Sequence, residues 1–173
     1  MEFTALKYFG RFIVIIFIQI MILNHIYFGG YITPYIYPLF ILMMPFSIKG
    51  WVLLVVAFFS GLTMDMFSNT PGMHSSATVL IAFLRPAVIN FISTKKEFET
   101  STEPSFSVMG KTGVFFYVLI LIFVHHFSMF LLETFRLDEI GAVFMRSLFS
   151  TIASVVVIML AFLFSGRTKK VRI

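Results

Sequence analysis

The chain has 173 residues, of which 59% are hydrophobic and 12% charged, and its mean hydropathy is +0.98. A soluble domain carries about 45–50% apolar and about 25% charged residues, so this composition excludes a soluble globular fold and indicates an integral membrane protein. The absence of cysteine excludes disulfides, zinc–thiolate sites and cysteine nucleophiles. The net charge of +5 comes mainly from basic residues near the ends of apolar segments, which indicates membrane topology rather than nucleic-acid binding.

Six apolar segments follow one another along the chain. A membrane-spanning helix needs roughly 20 apolar residues. Five segments come close to this length: Phe12–Phe28, Trp51–Phe67, Met73–Ile92, Gly113–Leu132 and Ser147–Phe164. The remaining one, Tyr31–Ile48, contains three prolines, which disrupt helix interiors. Because lipid-exposed backbone must be hydrogen-bonded internally, this segment is expected to be either a kinked span or a re-entrant segment.

The distribution of basic residues predicts the number of crossings. Lys7 and Arg11 precede the first span, and the C-terminal sequence GRTKKVRI carries four more basic residues. Both ends are therefore expected in the cytoplasm, which requires an even number of crossings and makes Tyr31–Ile48 a span. Ten of the 13 Lys and Arg residues then lie on the cytoplasmic side. The prediction is a single all-α transmembrane domain, residues 1–173, with six helices in a polytopic bundle.

Asp65 is predicted to lie at the outer end of the third span, just before a short turn that contains Pro71 and Gly72. Two interpretations remain open. The carboxylate either caps a helix end at the membrane surface, or it is a buried anchor, because ionisable residues inside the membrane usually face protein or a cavity. Gly61 lies one turn before Asp65 and is expected to allow another helix to approach closely.

Arg85 lies deeper in the membrane, about 18 Å into the fourth span at about 1.5 Å per residue. A charge at that depth costs about 2.5–3.5 kcal/mol on insertion scales. The side chain either extends to the cytoplasmic headgroups or acts as an internal cation for a partner or an acidic residue, in a helix bent by Pro86, and the second interpretation is favoured. Asp65 is not its expected partner, because it lies well above Arg85.

Other polar residues give no catalytic pattern. His125 and His126 are adjacent in the fifth span and point about 100° apart, so they do not form the i, i+4 pair that chelates a metal. They are expected to make helix–helix hydrogen bonds, as are Asn24 and His25. No hydrolase, metalloprotease, nucleotide-binding or dinucleotide motif occurs. The sequence therefore predicts neither an enzyme nor a bound cofactor.

The stretch from Phe58 to Arg85 resembles the signature of the MreD family, the rod-shape-determining membrane proteins of bacteria. In that family a helix ends in a Gly-x-x-x-Asp element, a glycine-containing turn follows, and the next helix begins with small residues. The matching positions here are Gly61, Asp65 and Gly72, followed by small residues at 75–77. The resemblance covers about 28 residues in motif and the whole chain in length and layout.

The resemblance implies a non-catalytic scaffold of the cell-elongation machinery in the bacterial cytoplasmic membrane. It implies an MreC-like partner, with MreB, RodA and the elongation transpeptidase as direct or indirect partners, and contact with membrane lipid but not with nucleic acid. The candidate interface or structural residues are Gly61, Asp65, Gly72, Arg85 and Pro86.

The family also resembles, in fold, the substrate-binding subunits of vitamin uptake transporters. A subunit of an energy-coupled micronutrient transporter is therefore the alternative function. Its pocket would be lined by polar residues near the outer surface: Asn24, His25, Asp65, Asn69 and His74. The first span lacks the alanine pairs expected of such subunits, which favours the scaffold.

Overall fold

The computed structural model describes residues 2–26, 32–92 and 103–165. These residues form helices α1 (Glu2–Met21), α2 (Leu39–Leu42), α3 (Gly50–Ser68), α4 (Met73–Ile92), α5 (Phe106–Thr134) and α6 (Ile140–Ser165). Five of them, all but α2, are long and apolar enough to cross a membrane. The predicted all-helical, multi-pass architecture agrees with these elements. The basic residues at 95, 96 and 167–172, used to predict the cytoplasmic side, lie outside the described ranges.

The bounds of the helices follow hydropathy only in part. The helix α4 has the predicted bounds, and α3 extends the prediction by one residue at each end. The helices α5 and α6 each begin seven residues before the predicted apolar segment, and α1 is helical from Glu2 and ends at Met21. Hydropathy locates the part of a helix that lies in hydrocarbon, whereas helical hydrogen bonding continues through the polar residues beside it.

Contacts at the ends of the bundle show how the helices run. Just before α5, Glu103 binds Lys7 and Arg11 of α1. Farther along α5, Gly113 lies beside Ile92, which ends α4. The start of α1, the end of α4 and the start of α5 therefore share one end of the bundle. Because α3–α4 and α5–α6 are hairpins with short turns, α1, α3 and α5 run in one direction and α4 and α6 in the other.

The chain between α1 and α3 departs from the predicted spanning helix. In residues 32–49, which we call the central segment, α-helix is limited to the four residues of α2. Pro34, Pro38 and Pro45 account for this, because proline lacks an N–H and pushes the preceding residue towards extended backbone. The segment is buried without interruption over residues 34–44. Irregular backbone is tolerated at membrane depth only where protein surrounds it, as here.

The central segment travels through the depth of the bundle. The hydroxyl of Tyr37 contacts His74 near the start of α4, and the carbonyl of Met44 accepts a hydrogen bond from Arg85 of the same helix. His74 and Arg85 are 11 residues apart, which corresponds to about 16 Å along a helix. The segment thus begins near the end of α1 and the start of α4 and finishes at the end of the bundle where α3 begins.

Candidate functional site

Polar side chains are buried at many positions inside the bundle. In hydrocarbon each such group needs a partner from the protein, because water is absent. The buried polar residues are Gln19, Ser60, Asp65, His74, Ser75, Thr78, Arg85, His125, His126, Ser147, Ser150, Thr151 and Ser154. Most of them belong to three groups: a contact between α3 and α4, a set of anchors on the central segment, and a cluster of tyrosine and histidine side chains.

Asp65 joins the end of α3 to the start of α4. Its Oδ1 accepts hydrogen bonds from the backbone N–H of His74 at 2.9 Å and from the hydroxyl of Thr70 at 3.1 Å. Its Oδ2 accepts from the N–H of Ser75 at 3.0 Å and from the Ser75 hydroxyl at 2.8 Å. The first N–H groups of a helix lack partners within the helix and favour negative charge. Asp65, 4% exposed, is therefore both a helix cap and a buried anchor, which unites the two interpretations left open by the sequence.

Gly61 allows the two helices to come together at this point. An ideal Cβ on Gly61 would lie 2.4 Å from Cα of Ser75 and 2.7 Å from the carbonyl oxygen of His74. Both are backbone atoms, so no rotamer change relieves the overlap. Gly61 thus leaves room for α4 one helical turn before Asp65, whose carboxylate accepts hydrogen bonds from the first N–H groups of α4. We call Gly61, Asp65, His74 and Ser75 the α3–α4 clasp.

Gln19 of α1 anchors the first part of the central segment. Its Oε1 accepts from the N–H of Ile36 at 2.7 Å, and its Nε2 donates to the carbonyl of Pro34 at 3.2 Å. The same Nε2 donates to Asn24 at 2.8 Å. The side-chain amide of Gln19 therefore pairs two backbone groups of the segment that have no helical partner.

Residues of α5 and α6 also hydrogen-bond the backbone of the central segment. The backbone N–H groups of Thr33 and Tyr35 donate to the hydroxyls of Ser150 and Ser154, at 3.2 and 2.8 Å. His126 lies 3.3 Å from the carbonyl oxygen of Thr33. These small polar residues on α6 allow close approach of the segment and satisfy its backbone at the same time.

Arg85 anchors the last part of the central segment. Its guanidinium donates to the carbonyl of Met44 and, through Nε at 2.8 Å, to the hydroxyl of Tyr117. That hydroxyl in turn donates to the carbonyl of Leu42 at 2.9 Å. The carbonyl of Leu42 ends α2 and that of Met44 lies two residues beyond it, where a helix end leaves acceptors without partners. The arginine is 2% exposed and serves as an internal cation, as favoured from sequence, but its partners are backbone carbonyls and a phenol.

A third group surrounds the hydroxyl of Tyr37. This oxygen lies 2.6 Å from Nε2 of His125, 2.9 Å from Oγ1 of Thr78 and 3.1 Å from Nδ1 of His74. His125 is therefore joined to α4 through a tyrosine of the central segment, whereas His126 makes the expected helix–helix contact, with the hydroxyl of Ser154 in α6 at 3.3 Å. Nε2 of His74 and Nδ1 of His125 have no partner among the described residues. No group of three His, Cys, Asp or Glu side chains suited to a metal occurs in the described part of the chain.

Glu103, three residues before α5, forms a separate polar contact. Its carboxylate accepts hydrogen bonds from Lys7 at 2.8 Å, Tyr8 at 2.9 Å and Arg11 at 3.0 Å. Partial burial raises the pKa of this carboxyl group, but the hydrogen bond from Lys7 and the charge of Arg11 outweigh it, so the pKa lies below its usual value. Glu103 therefore fastens the start of α1 to the start of α5.

The residues selected from sequence fall into different places. Gly61 and Asp65 lie together in the clasp. Gly72 is exposed with φ +83°, so the turn before α4 requires its backbone freedom. Arg85 belongs to the anchors of the central segment. Pro86 is exposed, and α4 continues past it to Ile92.

Sequence reasoning missed four anchors: Gln19, Tyr117, Ser150 and Ser154. A polar residue within an apolar span was the available signal for Gln19 and the serines. Tyr117 carried no such signal, because tyrosine is common in membrane helices.

These contacts define the class of protein: a multi-pass helical membrane protein with a mostly non-helical segment buried at its centre and held there by side chains from α1, α4, α5 and α6. Comparison with protein-family models, curated proteins and solved structures finds no match to this chain.

Proposed function

We propose that this protein is a non-catalytic membrane scaffold of the bacterial cell-elongation machinery, similar to the MreD family. In this proposal the chain crosses the cytoplasmic membrane six times, with the central segment as the second passage and both ends in the cytoplasm. It binds an MreC-like protein and, directly or through it, MreB, RodA and the elongation transpeptidase. It thereby helps to organise lateral peptidoglycan synthesis.

One observation carries this proposal: among the described residues, the two charged side chains buried in the spans are satisfied by the chain itself. Asp65 accepts from the start of α4, and Arg85 donates to the central segment and Tyr117. Intramembrane charges mark ion or substrate pathways when they face a cavity. Here they fix the positions of helices, as a scaffold requires.

The surface offered to partners also fits a scaffold. The turn between α3 and α4 spans residues 69–72, and that between α5 and α6 spans residues 135–139. Large apolar side chains are exposed along every long helix, among them Phe9, Phe59, Phe83 and Phe149. With such short turns, partners dock mainly through their own transmembrane helices.

The alternative, a transporter subunit, gains no support from the residues nominated for its pocket. Asp65 has both oxygens engaged by α4, and Asn24 accepts from Gln19. His25 and Asn69 are exposed on different turns, and His74 is buried against Tyr37. The scaffold is therefore the function that we propose.

The proposal is tested by extracting a tagged chain from its own membranes in mild detergent. Mass spectrometry then identifies the proteins that co-purify with it. We expect an MreC-like protein, recovered with the wild type and with the control variant Gly10→Ala. Gly61→Leu, which separates α3 from α4, should reduce that recovery at equal expression. Recovery of ATP-binding cassette subunits in place of an MreC-like protein would overturn the scaffold and favour the transporter.

A further inference from the structure

The first halves of α1 and α3 line an apolar groove that extends through only one half of the membrane. Its volume is about 440 Å³, which is within the size range of ligand pockets. Tyr8 and Phe12 of α1 belong to its walls, as do Val55, Phe59 and Ser60 of α3. Ser60, the last of the lining residues along α3, lies ten residues after the start of that helix. Ten residues span about 15 Å, half of about 30 Å of hydrocarbon, so the groove has the depth of one leaflet.

The groove offers almost no polar surface to an occupant. Among its lining residues, Tyr8 and Ser60 carry a hydroxyl, and the others are Phe, Val and Met. The hydroxyl of Tyr8 donates to Glu103 at 2.9 Å, and Ser60 is only 1% exposed. A polar group that entered the groove would therefore find no partner, which is costly in hydrocarbon. The walls suit a hydrocarbon chain.

Basic residues lie at the end of the bundle where the groove begins. Lys7 and Arg11 flank the lining residues of α1, and Lys49 directly precedes α3 and is exposed. Because α1 and α3 start at the same end of the bundle, these three cations share that end. Among the described ion pairs, one carboxylate, Glu103, serves them, and it leaves 57% of the Lys7 side chain exposed. The entrance of the groove therefore favours an anion.

Trp51 shows that this entrance lies at the level of the lipid headgroups. It is the second residue of α3, and it is 67% exposed. It precedes Val55 by four residues, so both lie on the helix face that forms the groove wall. Trp and Tyr concentrate at the membrane–water interface, where Tyr8 occupies the corresponding position on α1. The groove thus runs from the headgroups into the hydrocarbon of one leaflet.

We propose that the α1–α3 groove binds one acyl chain of an anionic phospholipid, whose phosphate lies beside Lys49 and Lys7. Depth and charge together select this occupant. A transmembrane helix would continue through the second half of the membrane, beyond Ser60, where the groove has ended. A second copy of this chain, related by a two-fold axis along the membrane normal, would bring two basic entrances together. The inference concerns lipid and does not depend on the partners proposed above.

Trp51 is the only tryptophan in the chain and provides a local reporter. The purified full-length protein is reconstituted in phosphatidylcholine vesicles that contain increasing fractions of phosphatidylglycerol brominated near the glycerol end of its acyl chains. Bromine quenches tryptophan fluorescence on contact, and brominated phosphatidylcholine provides the zwitterionic comparison. Since each basic residue near an anionic headgroup contributes roughly a fivefold preference, phosphatidylglycerol should bind beside Trp51 at least roughly fivefold more strongly than phosphatidylcholine.

Replacement of single lysines tests the headgroup contact. Lys49→Gln should reduce the preference for phosphatidylglycerol by roughly fivefold. The matched control is Lys111→Gln, which removes an exposed lysine near the start of α5, at the same end of the bundle but outside the groove lining. It should leave the preference unchanged.

Native mass spectrometry of the protein released from detergent tests the groove itself. The wild type should retain one phosphatidylglycerol molecule. Val55→Phe places a ring in the groove and should lower the retained fraction severalfold. Val156→Phe makes the same substitution on α6, at a residue that is 56% exposed and does not line the groove, and should retain lipid like the wild type.

The outcomes that would overturn the lipid site are distinct from those that bear on the scaffold. Equal quenching by the two brominated lipids, or equal effects of Lys49→Gln and Lys111→Gln, would overturn the headgroup contact. Unchanged retention by Val55→Phe, or a wild type that holds a second copy of the chain and no lipid, would overturn the groove assignment. All these measurements use the purified chain alone, so they stand whether or not an MreC-like protein co-purifies.

Discussion

Replacement of Gly61 by alanine should separate α3 from α4. The added Cβ would lie 2.4 Å from Cα and 2.6 Å from N of Ser75, both backbone atoms, so relief requires the helices to move apart by about 1 Å, since ordinary contacts begin near 3.4 Å. Overpacking of this kind costs about 1–3 kcal/mol. The displacement also stretches the hydrogen bonds from the N–H groups of His74 and Ser75 to Asp65, for which loss of a cap adds about 0.5–2 kcal/mol. The expected loss of unfolding free energy is therefore about 1.5–5 kcal/mol.

The matched control for Gly61→Ala is Gly10→Ala, because nothing lies within 4 Å of the Cβ position of Gly10 in α1. Alanine there should be neutral or stabilise by up to about 1 kcal/mol, the difference in helix propensity. Thermal unfolding in detergent, followed by size-exclusion chromatography of heated samples, measures both. With about 2–4 °C per kcal/mol for a chain of this length, Gly61→Ala should lower the unfolding midpoint by about 3–20 °C. Equal midpoints for the two variants would refute the close-packed clasp.

Three further predictions concern the other polar contacts. Asp65→Asn places an amide donor against the N–H groups of α4 and should cost about 1–3 kcal/mol in the same thermal assay, whereas a midpoint like that of the wild type would contradict the cap. In a double-mutant cycle, Arg85→Met and Tyr117→Phe should be coupled by at least about 0.5 kcal/mol, because the two side chains are bonded to each other and donate to carbonyls at the end of α2 and just beyond it; additive effects would disprove a shared network. Since its folded-state pKa is lowered, Glu103 should stabilise the protein above the usual carboxyl pKa of about 4.3 and lose this effect as pH falls through the lowered value. The midpoint difference between wild type and Glu103→Gln should thus shrink on acidification, and a difference independent of pH would count against the contact.

The prediction from sequence was strongest where one chemical signal dominated. Long apolar runs gave five of the six segments as membrane helices, because crossing hydrocarbon demands both length and apolar side chains. The pairing of Gly61 with Asp65 also had a local signal, since a small residue and a carboxylate one turn apart at a helix end indicate close approach and capping. The positions of these residues on α3 followed directly from helical periodicity.

The path of the central segment could not be predicted from local signals alone. Its prolines indicated that a regular helix would fail, but not whether the chain would bend, turn back or pass through the bundle. That choice depends on whether distant side chains supply hydrogen bonds to its backbone. Gln19, Arg85 and Tyr117 do so from three helices.

The sequence by itself thus determined the class of protein, five of the predicted spanning helices and the Gly61–Asp65 pairing at the end of α3, because each follows from interactions within one stretch of chain. Only the tertiary structure decided what the buried polar residues bind. Arg85 was identified as an internal cation, yet its partners, the carbonyl of Met44 and the hydroxyl of Tyr117, lie 41 and 32 residues away. In a bilayer, any donor or acceptor at the correct depth satisfies a buried charge, so the partner is selected by how the helices pack and not by sequence spacing.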